Sequence, residues 1–215
     1  MKGGKIKNKY YNSFLSGEFI QTITPNTIRQ VIDNIKHDHA LEGRCLLILL
    51  YYTGARPIEI LSLKGEDIQK TDAFLQLHVK TFKHGRNRTI LLPLKESLIK
   101  LAWKHISTIY PSIYLFRNYR SQYSRVYQTK KGPIFYHDVS NKLRHYFNKW
   151  FDGIMDDPIP PYYLRHNLFS IMSEKGASLR DMQDIKGSKS ESSIMPYLHM
   201  STNTARKNIK FLPKE

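Results

Sequence analysis

Hydrophobic positions with the period of an α-helix dominate the chain after residue 22. The first such stretch begins with Thr-Pro at 24–25, a pair typical of a helix start, and its apolar residues recur every three or four positions. Residues 41–52 are apolar on most of the helical circumference, which predicts a central helix ending at Thr-Gly, 53–54. A third, short helix is predicted over 57–65.

An alternating pattern then interrupts the helical one. Leu75, Leu77 and Val79 alternate with polar residues, which is the period of a half-buried strand. A second apolar stretch, 89–92, follows a polar link that contains Gly85. Two such stretches around a short glycine-containing link predict an antiparallel β-hairpin.

Helical period returns in the second half of the chain. Further helices are predicted over 95–109, 137–151, 162–175 and 192–211, the last with Pro196 in its first turn or at a kink. Ser178 and Asp181 resemble a capping box for a short helix that ends at Gly187. Residues 110–131 mix tyrosines with basic residues and predict no element. The fold class is therefore mainly α with a small antiparallel β-sheet (α+β).

Composition indicates one folded domain preceded by an arm. Residues 1–20 are rich in Lys, Gly and Asn without a sustained period and predict a flexible basic arm, whereas 21–215 carry the periodic pattern. The longest apolar run, 45–52, has about eight residues where a membrane-spanning helix needs roughly 20. One cysteine excludes a disulfide framework. We expect a soluble intracellular protein in the cytoplasm or nucleoid, or in the host cell of a mobile element.

Charge narrows the class of partner. The chain has 34 Lys and Arg against 18 Asp and Glu, a formal net charge of +16. A polyanion is therefore the expected partner, and nucleic acid fits better than a membrane because no basic amphipathic helix stands out. No convergent set of His, Cys, Asp or Glu predicts a metal site, and we expect no cofactor.

Four motifs occur in an informative order. They read TGARPIE at 53–59, KHGRNR at 83–88, YLRH at 163–166 and YLH at 197–199. Their order and spacing resemble the catalytic domain of the tyrosine recombinase (phage integrase) family. That family has a TGxRxxE turn, a hairpin lysine, an HxLRH helix start, a GH turn and a tyrosine about ten residues beyond its glycine; here Gly187 and Tyr197 are ten apart. The resemblance runs from about Thr22 to Lys210.

The resemblance implies a site-specific recombinase or integrase that cleaves and rejoins DNA through a 3′-phosphotyrosine, without metal or ATP. Arg56 and Arg165 would hold the phosphate oxygens, whose charge grows in the transition state. Tyr197 would attack the phosphorus, and Lys83 would give the leaving 5′-oxygen a proton, with Lys80 as the alternative. Two other functions stay open: a catalytically weak or inactive DNA-binding relative, and a type IB topoisomerase-like relaxing enzyme.

Two positions depart from the family pattern. Tyr162 stands where the family has the first histidine of HxLRH, and Ser188 stands where it has the histidine of the GH turn. Both can donate a hydrogen bond to a phosphate, but neither is a good base, so the general base stays open and catalysis is expected to be slow. His166 could approach the site, and Lys186 or Lys189 could add positive charge. Glu59 would orient Arg56 or a helix start, and His199 has either a structural or a chemical role.

The remaining expectations concern binding and assembly. The predicted DNA-contacting residues are Arg86, Arg88, Lys130, Lys131, Lys186 and Lys189. The family usually places a further DNA-binding domain before the catalytic one, and only about 20 residues precede the match here, so we expect that domain to be absent. The resemblance also implies a homo-oligomer, a tetramer on two duplexes.

Overall fold

The computed structural model describes residues 22–81, 86–119, 127–129, 132–134, 136–188 and 190–198. Its helices are α1 (Pro25–Asn34), α2 (Ala40–Thr53), α3 (Pro57–Leu61), α4 (Ser97–Ile106), α5 (Tyr136–Phe151), α6 (Tyr163–Glu174), α7 (Leu179–Lys186) and α8 (Met195–Leu198). Its strands are β1 (Ile68–Lys70), β2 (Phe74–Val79), β3 (Arg88–Pro93), β4 (Tyr127–Thr129) and β5 (Gly132–Ile134). The predicted class, mainly α with a small antiparallel β-sheet, is confirmed; the second, two-stranded sheet of β4 and β5 was not predicted. The predicted arm at 1–20 lies outside the described residues.

The predicted hairpin is present as β2 and β3, with Leu75 opposite Leu92 and Leu77 opposite Ile90. These four side chains are buried, so one face of the hairpin rests on the core. A third strand, β1, pairs antiparallel with the other edge of β2. The sequence did not predict β1, because three residues with one buried side chain are too short to show an alternating pattern.

Local capping fixes the starts of two helices where the sequence predicts them. The hydroxyl of Thr24 accepts a hydrogen bond from the Thr27 backbone N–H at 3.2 Å, and Pro25 occupies the first turn of α1. Ser178 and Asp181 form the predicted capping box of α7, with the Asp181 N–H donating to the Ser178 hydroxyl at 3.1 Å.

One predicted helix ends earlier than expected, and another begins with a 3₁₀ turn. The helix predicted over 57–65 stops at Leu61, and the backbone then forms a 3₁₀ turn at Gly65–Asp67 that leads into β1. The segment predicted as a helix over 192–211 begins as a 3₁₀ turn, Glu191–Ser193, and continues as α8, with Pro196 in its first turn. Residues beyond 198 lie outside the described part of the chain.

Helix α2 is the centre of the main core. It is buried on nearly all sides and packs against α1, α4 and α6. A second, smaller apolar cluster consists of Phe169, Met182, Ile194 and Tyr197. It joins α6, α7 and α8, so the C-terminal elements are held to the domain through this second cluster. No helix among the described residues has the length and apolar character needed to cross a bilayer.

Candidate active site

Arg56 stands at the N-terminus of α3, directly after the turn that ends α2. Its backbone N–H donates to Oε2 of Glu59 and its Nη1 donates to Oε1, both at 2.8 Å. The same carboxylate thus caps the helix and holds the arginine side chain, which is 19% exposed. Both roles expected for Glu59 therefore coincide in its geometry.

Glu59 also binds a second arginine. Nη2 of Arg88 lies 2.9 Å from Oε2 of Glu59, and the Arg88 side chain is almost completely buried. Burial would raise the pKa of Glu59, but the charge of Arg88 and hydrogen bonds from Arg56 and Arg88 outweigh it, so the pKa lies below its ordinary value. Arg88, predicted to contact DNA, is instead tied to a buried carboxylate.

Arg165 lies in the first turn of α6 and is 1% exposed. Its Nη1 donates to the carbonyl oxygen of Gly54 and its Nη2 to the carbonyl oxygen of Lys186 at 3.1 Å. These bonds tie α6 to the turn before Arg56 and to the end of α7. Burial, together with the positive charge of Arg56, lowers the pKa of Arg165.

The two carbonyl groups that hold Arg165 lie beside helix ends with left-handed glycines. Gly54 ends α2 with φ +56°, and a Cβ there would lie 2.8 Å from a methyl carbon of Leu168. Gly187 ends α7 with φ +64°, and a Cβ there would lie 2.8 Å from Nη1 of Arg88. Both positions require glycine, because they combine a positive φ with a close approach.

Tyr197 lies in α8 and is 2% exposed. Its hydroxyl oxygen is 2.8 Å from Nδ1 of His166, the residue after Arg165, and the two rings stack with centroids 5.7 Å apart. Burial, followed by the charges of Arg165 and Lys186, lowers the pKa of His166 to about 4. His166 is therefore neutral near neutral pH and able to accept a proton at Nδ1.

Lys186 was predicted to contact DNA or to add positive charge near the site, and the structure places its side chain inside. The side chain is 7% exposed, and its ammonium donates to the carbonyl oxygen of Ser193 and lies 4.9 Å from the centroid of the Tyr197 ring. The direction of α7 explains this, because Met182, four residues earlier on the same face, is completely buried. Lys186 therefore lies inside and not on the surface. Together with Arg165, His166 and Tyr197 it forms the cluster of the candidate site.

The structure also places the remaining described candidates. Arg86 is exposed, and its backbone N–H donates to the carbonyl oxygen of Gly187 at 3.2 Å. Lys80 forms an ion pair with Asp67 at 2.8 Å, and the hydrogen bond to that carboxylate raises the pKa of Lys80. The ion pair directs the Lys80 side chain toward the 3₁₀ turn that precedes β1.

Tyr162 and Ser188, predicted to stand at family histidine positions, contact different residues. The Tyr162 ring packs edge-on against His166 with centroids 5.1 Å apart. The Ser188 hydroxyl is 2.8 Å from the Ser193 hydroxyl, within the loop that leads to α8. Five candidates lie outside the described residues: Lys83, Lys130, Lys131, Lys189 and His199.

Positive charge is in excess in this cluster. Among the described residues, neither Arg165 nor Lys186 forms an ion pair with a carboxylate, and Glu59 is already shared by Arg56 and Arg88. Burying cations without counter-charge costs several kcal/mol, so the arrangement is suited to an anion that arrives from outside. An anion bound there would lie beside the Tyr197 hydroxyl and a neutral imidazole.

Sequence reasoning missed how Arg165 and Lys186 are held. The hydrogen bond from Arg165 to Gly54 joins residues 111 positions apart, so no short stretch of sequence predicts it. The inward position of Lys186 had a signal, namely its spacing from Met182 along a helix whose apolar face was readable.

Comparison with known proteins identifies relatives. Tyrosine recombinase XerA of Pyrococcus furiosus is 28% identical over 191 residues, which cover 88% of this chain and 61% of that protein. Tyrosine recombinase XerD of Staphylococcus epidermidis is 25% identical over 174 residues, which cover 81% of this chain and 55% of that protein. The chain thus spans little more than half the length of these curated relatives.

Solved structures share the fold. XerH recombinase bound to palindromic difH substrate in a post-cleavage complex matches with a TM-score of 0.62 and 18% identity, over 88% of this chain and 52% of that chain. The catalytic domain of bacteriophage HP1 integrase matches with a TM-score of 0.52 and 16% identity, over 91% of this chain and 96% of that chain. The profile of the phage integrase family matches residues 21–204. With most of its length covered by that match, the chain belongs to the phage integrase family.

Proposed function

We propose that this chain is the catalytic domain of a site-specific tyrosine recombinase, which cleaves and rejoins double-stranded DNA through a covalent link to Tyr197. One observation carries the proposal: the hydroxyl of Tyr197 lies 2.8 Å from a neutral imidazole, and the Tyr197 side chain interacts with two buried basic side chains, Arg165 and Lys186, that have no carboxylate partner among the described residues. A backbone phosphate supplies the missing negative charge.

Arg56 and Arg165 bind the non-bridging oxygens of the scissile phosphate. These oxygens gain charge as the phosphorus becomes five-coordinate, so fixed guanidinium groups stabilise the transition state more than the bound DNA. The two side chains are pre-positioned, Arg56 by Glu59 and Arg165 by two backbone carbonyl groups. Little reorganisation is then needed when the phosphate arrives.

The Tyr197 oxygen attacks the phosphorus and forms the new O–P bond, while the bond from phosphorus to the 5′-oxygen breaks. His166 accepts the phenolic proton at Nδ1, since its hydrogen bond is already in place. The products are a 3′-phosphotyrosine and a strand with a 5′-hydroxyl. Attack by a 5′-hydroxyl from another strand reverses these steps and releases Tyr197.

The leaving 5′-oxygen must receive a proton, and we assign that role to Lys83 on the resemblance of 83–88 to the family hairpin. Lys80, the alternative, is engaged by Asp67, and its raised pKa makes it a weaker acid. The contact between Arg86 and Gly187 joins this hairpin to the end of α7, close to the cluster.

Covalent trapping tests the function. The chain is incubated without metal or ATP with a pool of nicked duplexes of randomised sequence around the nick, so that the freed strand end diffuses away. We expect a denaturant-stable protein–DNA adduct that Tyr197→Phe abolishes and Tyr163→Phe retains. DNA binding without any adduct would identify a non-catalytic relative.

The mode of strand exchange needs a separate experiment. Relaxation of supercoiled plasmid without formation of DNA junctions would favour the topoisomerase-like alternative.

The proposed recombinase acts as a homo-oligomer, a tetramer on two duplexes, and native mass measurement of the chain on DNA tests this. An active chain that stays strictly monomeric on DNA would contradict the proposed assembly.

A further inference from the structure

Lys186 connects the phosphate-binding arginine with the nucleophile. Its carbonyl oxygen accepts a hydrogen bond from Nη2 of Arg165 at 3.1 Å. Its ammonium donates to the carbonyl oxygen of Ser193, in the 3₁₀ turn before α8, and faces the rings of Tyr197 at 4.9 Å and Phe169 at 5.7 Å. One residue thus contacts both groups that meet at the scissile phosphate.

A purely structural role does not require the charge of this lysine. Met182, one turn earlier, shows that an apolar side chain packs well on this face of α7. A buried ammonium costs free energy that an apolar side chain of similar length would avoid, and the partners of Lys186 among the described residues are one carbonyl oxygen and two aromatic rings. The charge therefore calls for a functional reason.

We propose that Lys186 is a positioning residue for the nucleophile: its ammonium holds the segment that carries Tyr197 and stabilises the phenolate that forms as Tyr197 attacks. This inference rests on the proposed function, because it assumes that Arg56 and Arg165 bind the phosphate. An ammonium over the ring acts on the negative charge that spreads from the phenolate oxygen.

The charge state of Lys186 is linked to DNA. Burial, and then the charges of Arg165 and Arg56, lower the pKa of Lys186 to about 7. Among the described residues, the other titratable groups that face it are Tyr197 and His166, the latter neutral at neutral pH. A phosphodiester between the two arginines offsets their repulsion and raises the pKa of Lys186, so the lysine takes up a proton from solvent when DNA binds.

Two measurements on Lys186 variants test the inference. The first is the single-turnover rate of adduct formation on the pool of nicked duplexes. The second is proton uptake on DNA binding, measured by titration calorimetry in buffers of different ionisation enthalpy at about pH 8, where a lysine with a pKa of about 7 is mostly neutral before binding. Lys186→Met removes the charge at similar length, and Lys186→Arg keeps it. Lys175→Met, at an exposed lysine directly after α6, is the matched control.

We expect the wild-type chain and Lys175→Met to take up close to one proton and to form the adduct at equal rates. Lys186→Met should take up no such proton and cleave at least about tenfold more slowly. Its DNA affinity at pH 8 should fall by the part that proton uptake contributes in the wild-type chain. Lys186→Arg should also lose the uptake, because arginine is always charged, but should keep most of the rate.

Two results would overturn the inference: an adduct formed by Lys186→Met at the wild-type rate, or proton uptake that persists in Lys186→Arg. Proton uptake that persists in Lys186→Arg would overturn the inference even if Lys186→Met fails to fold. Absence of any adduct with the wild-type chain would instead overturn the proposed function, and this inference with it, so the two failures are distinguishable.

Discussion

The hydroxyl of Tyr197 and Nδ1 of His166 lie 2.8 Å apart, although the two residues are 31 positions apart in sequence. Burial and two neighbouring basic groups keep the imidazole neutral, so that it can accept a hydrogen bond from the phenol; the same lowered pKa makes it a weak base. The sequence motifs predict that Tyr162 and Ser188 stand at the two family histidine positions. His166 thus fills the role of proton acceptor that these replacements leave open in the proposed mechanism.

Replacing His166 with Gln should slow adduct formation by about 10²-fold or more, because the amide can hold the Tyr197 hydroxyl but cannot take its proton. DNA binding should be retained, because the side chain is not a phosphate ligand in this account. Single-turnover cleavage and a gel shift on the same nicked duplexes measure both quantities. Equal rates for the variant and the wild type would exclude His166 as the acceptor.

Stability should also depend on His166. The pKa falls from its ordinary 6.5 to about 4 in the folded chain, so between these values the unfolded chain binds a proton that the folded chain does not. The folded state therefore loses about 3 kcal/mol as pH falls from 6.5 to 4. Urea unfolding at several pH values across this range should show the free energy of unfolding decrease by this amount as pH falls. The His166→Gln variant should lack the decrease that the imidazole causes. A variant with the wild-type slope would show that the imidazole is not responsible.

Glu59→Gln should destabilise the fold by about 3–5 kcal/mol, because Arg88 would keep its buried charge without a counter-charge. It should also slow cleavage, since Arg56 loses the carboxylate that holds it. Glu66→Gln is the control: Glu66 pairs with Lys64 at 3.5 Å in a half-exposed ion pair, so its removal should cost less than about 1 kcal/mol. Thermal unfolding of both variants gives the comparison, and similar losses would contradict the buried network.

Gly54 and Gly153 form a matched pair for testing the turn that holds Arg165. Both have positive φ, but a Cβ at Gly54 would meet Leu168 at 2.8 Å, whereas a Cβ at Gly153 would meet nothing within 4 Å. Gly153→Ala should therefore cost only backbone strain, about 1–2 kcal/mol, and Gly54→Ala about 1–3 kcal/mol more. Only Gly54→Ala should also slow cleavage, because the Gly54 carbonyl binds Arg165. Equal stability losses in chemical unfolding would argue against the close approach.

The sequence predicted best what is determined locally. The caps at Thr24 and Ser178 are short-range hydrogen bonds between residues three positions apart, so their signals lie within a few letters of sequence. Strand β1 was missed because its pairing with β2, not its own pattern, makes it a strand. The identity of Arg56, Arg165 and Tyr197 as candidates came from spacing and family resemblance.

The environment of those candidates could not be predicted in the same way. Arg88 and Lys186 were predicted to contact DNA, and Lys186 also to add positive charge near the site. In the structure Arg88 binds buried Glu59 and Lys186 faces Tyr197. Both placements depend on which side of a helix or strand faces the core. For Lys186 this side could be predicted, because the residue lies four positions after buried Met182 on the same helix face. Contacts such as Arg165 with Gly54 arise only from tertiary packing.

The central claim is that a phosphate held by Arg56 and Arg165 is attacked by Tyr197, one of 14 tyrosines in the chain. Peptide mass spectrometry of the trapped adduct tests it directly, after nuclease digestion leaves a short nucleotide on the modified residue. The account predicts that the nucleotide is attached through its 3′-phosphate to Tyr197. Attachment to any other residue, or cleavage that leaves no protein-bound nucleotide, would contradict it.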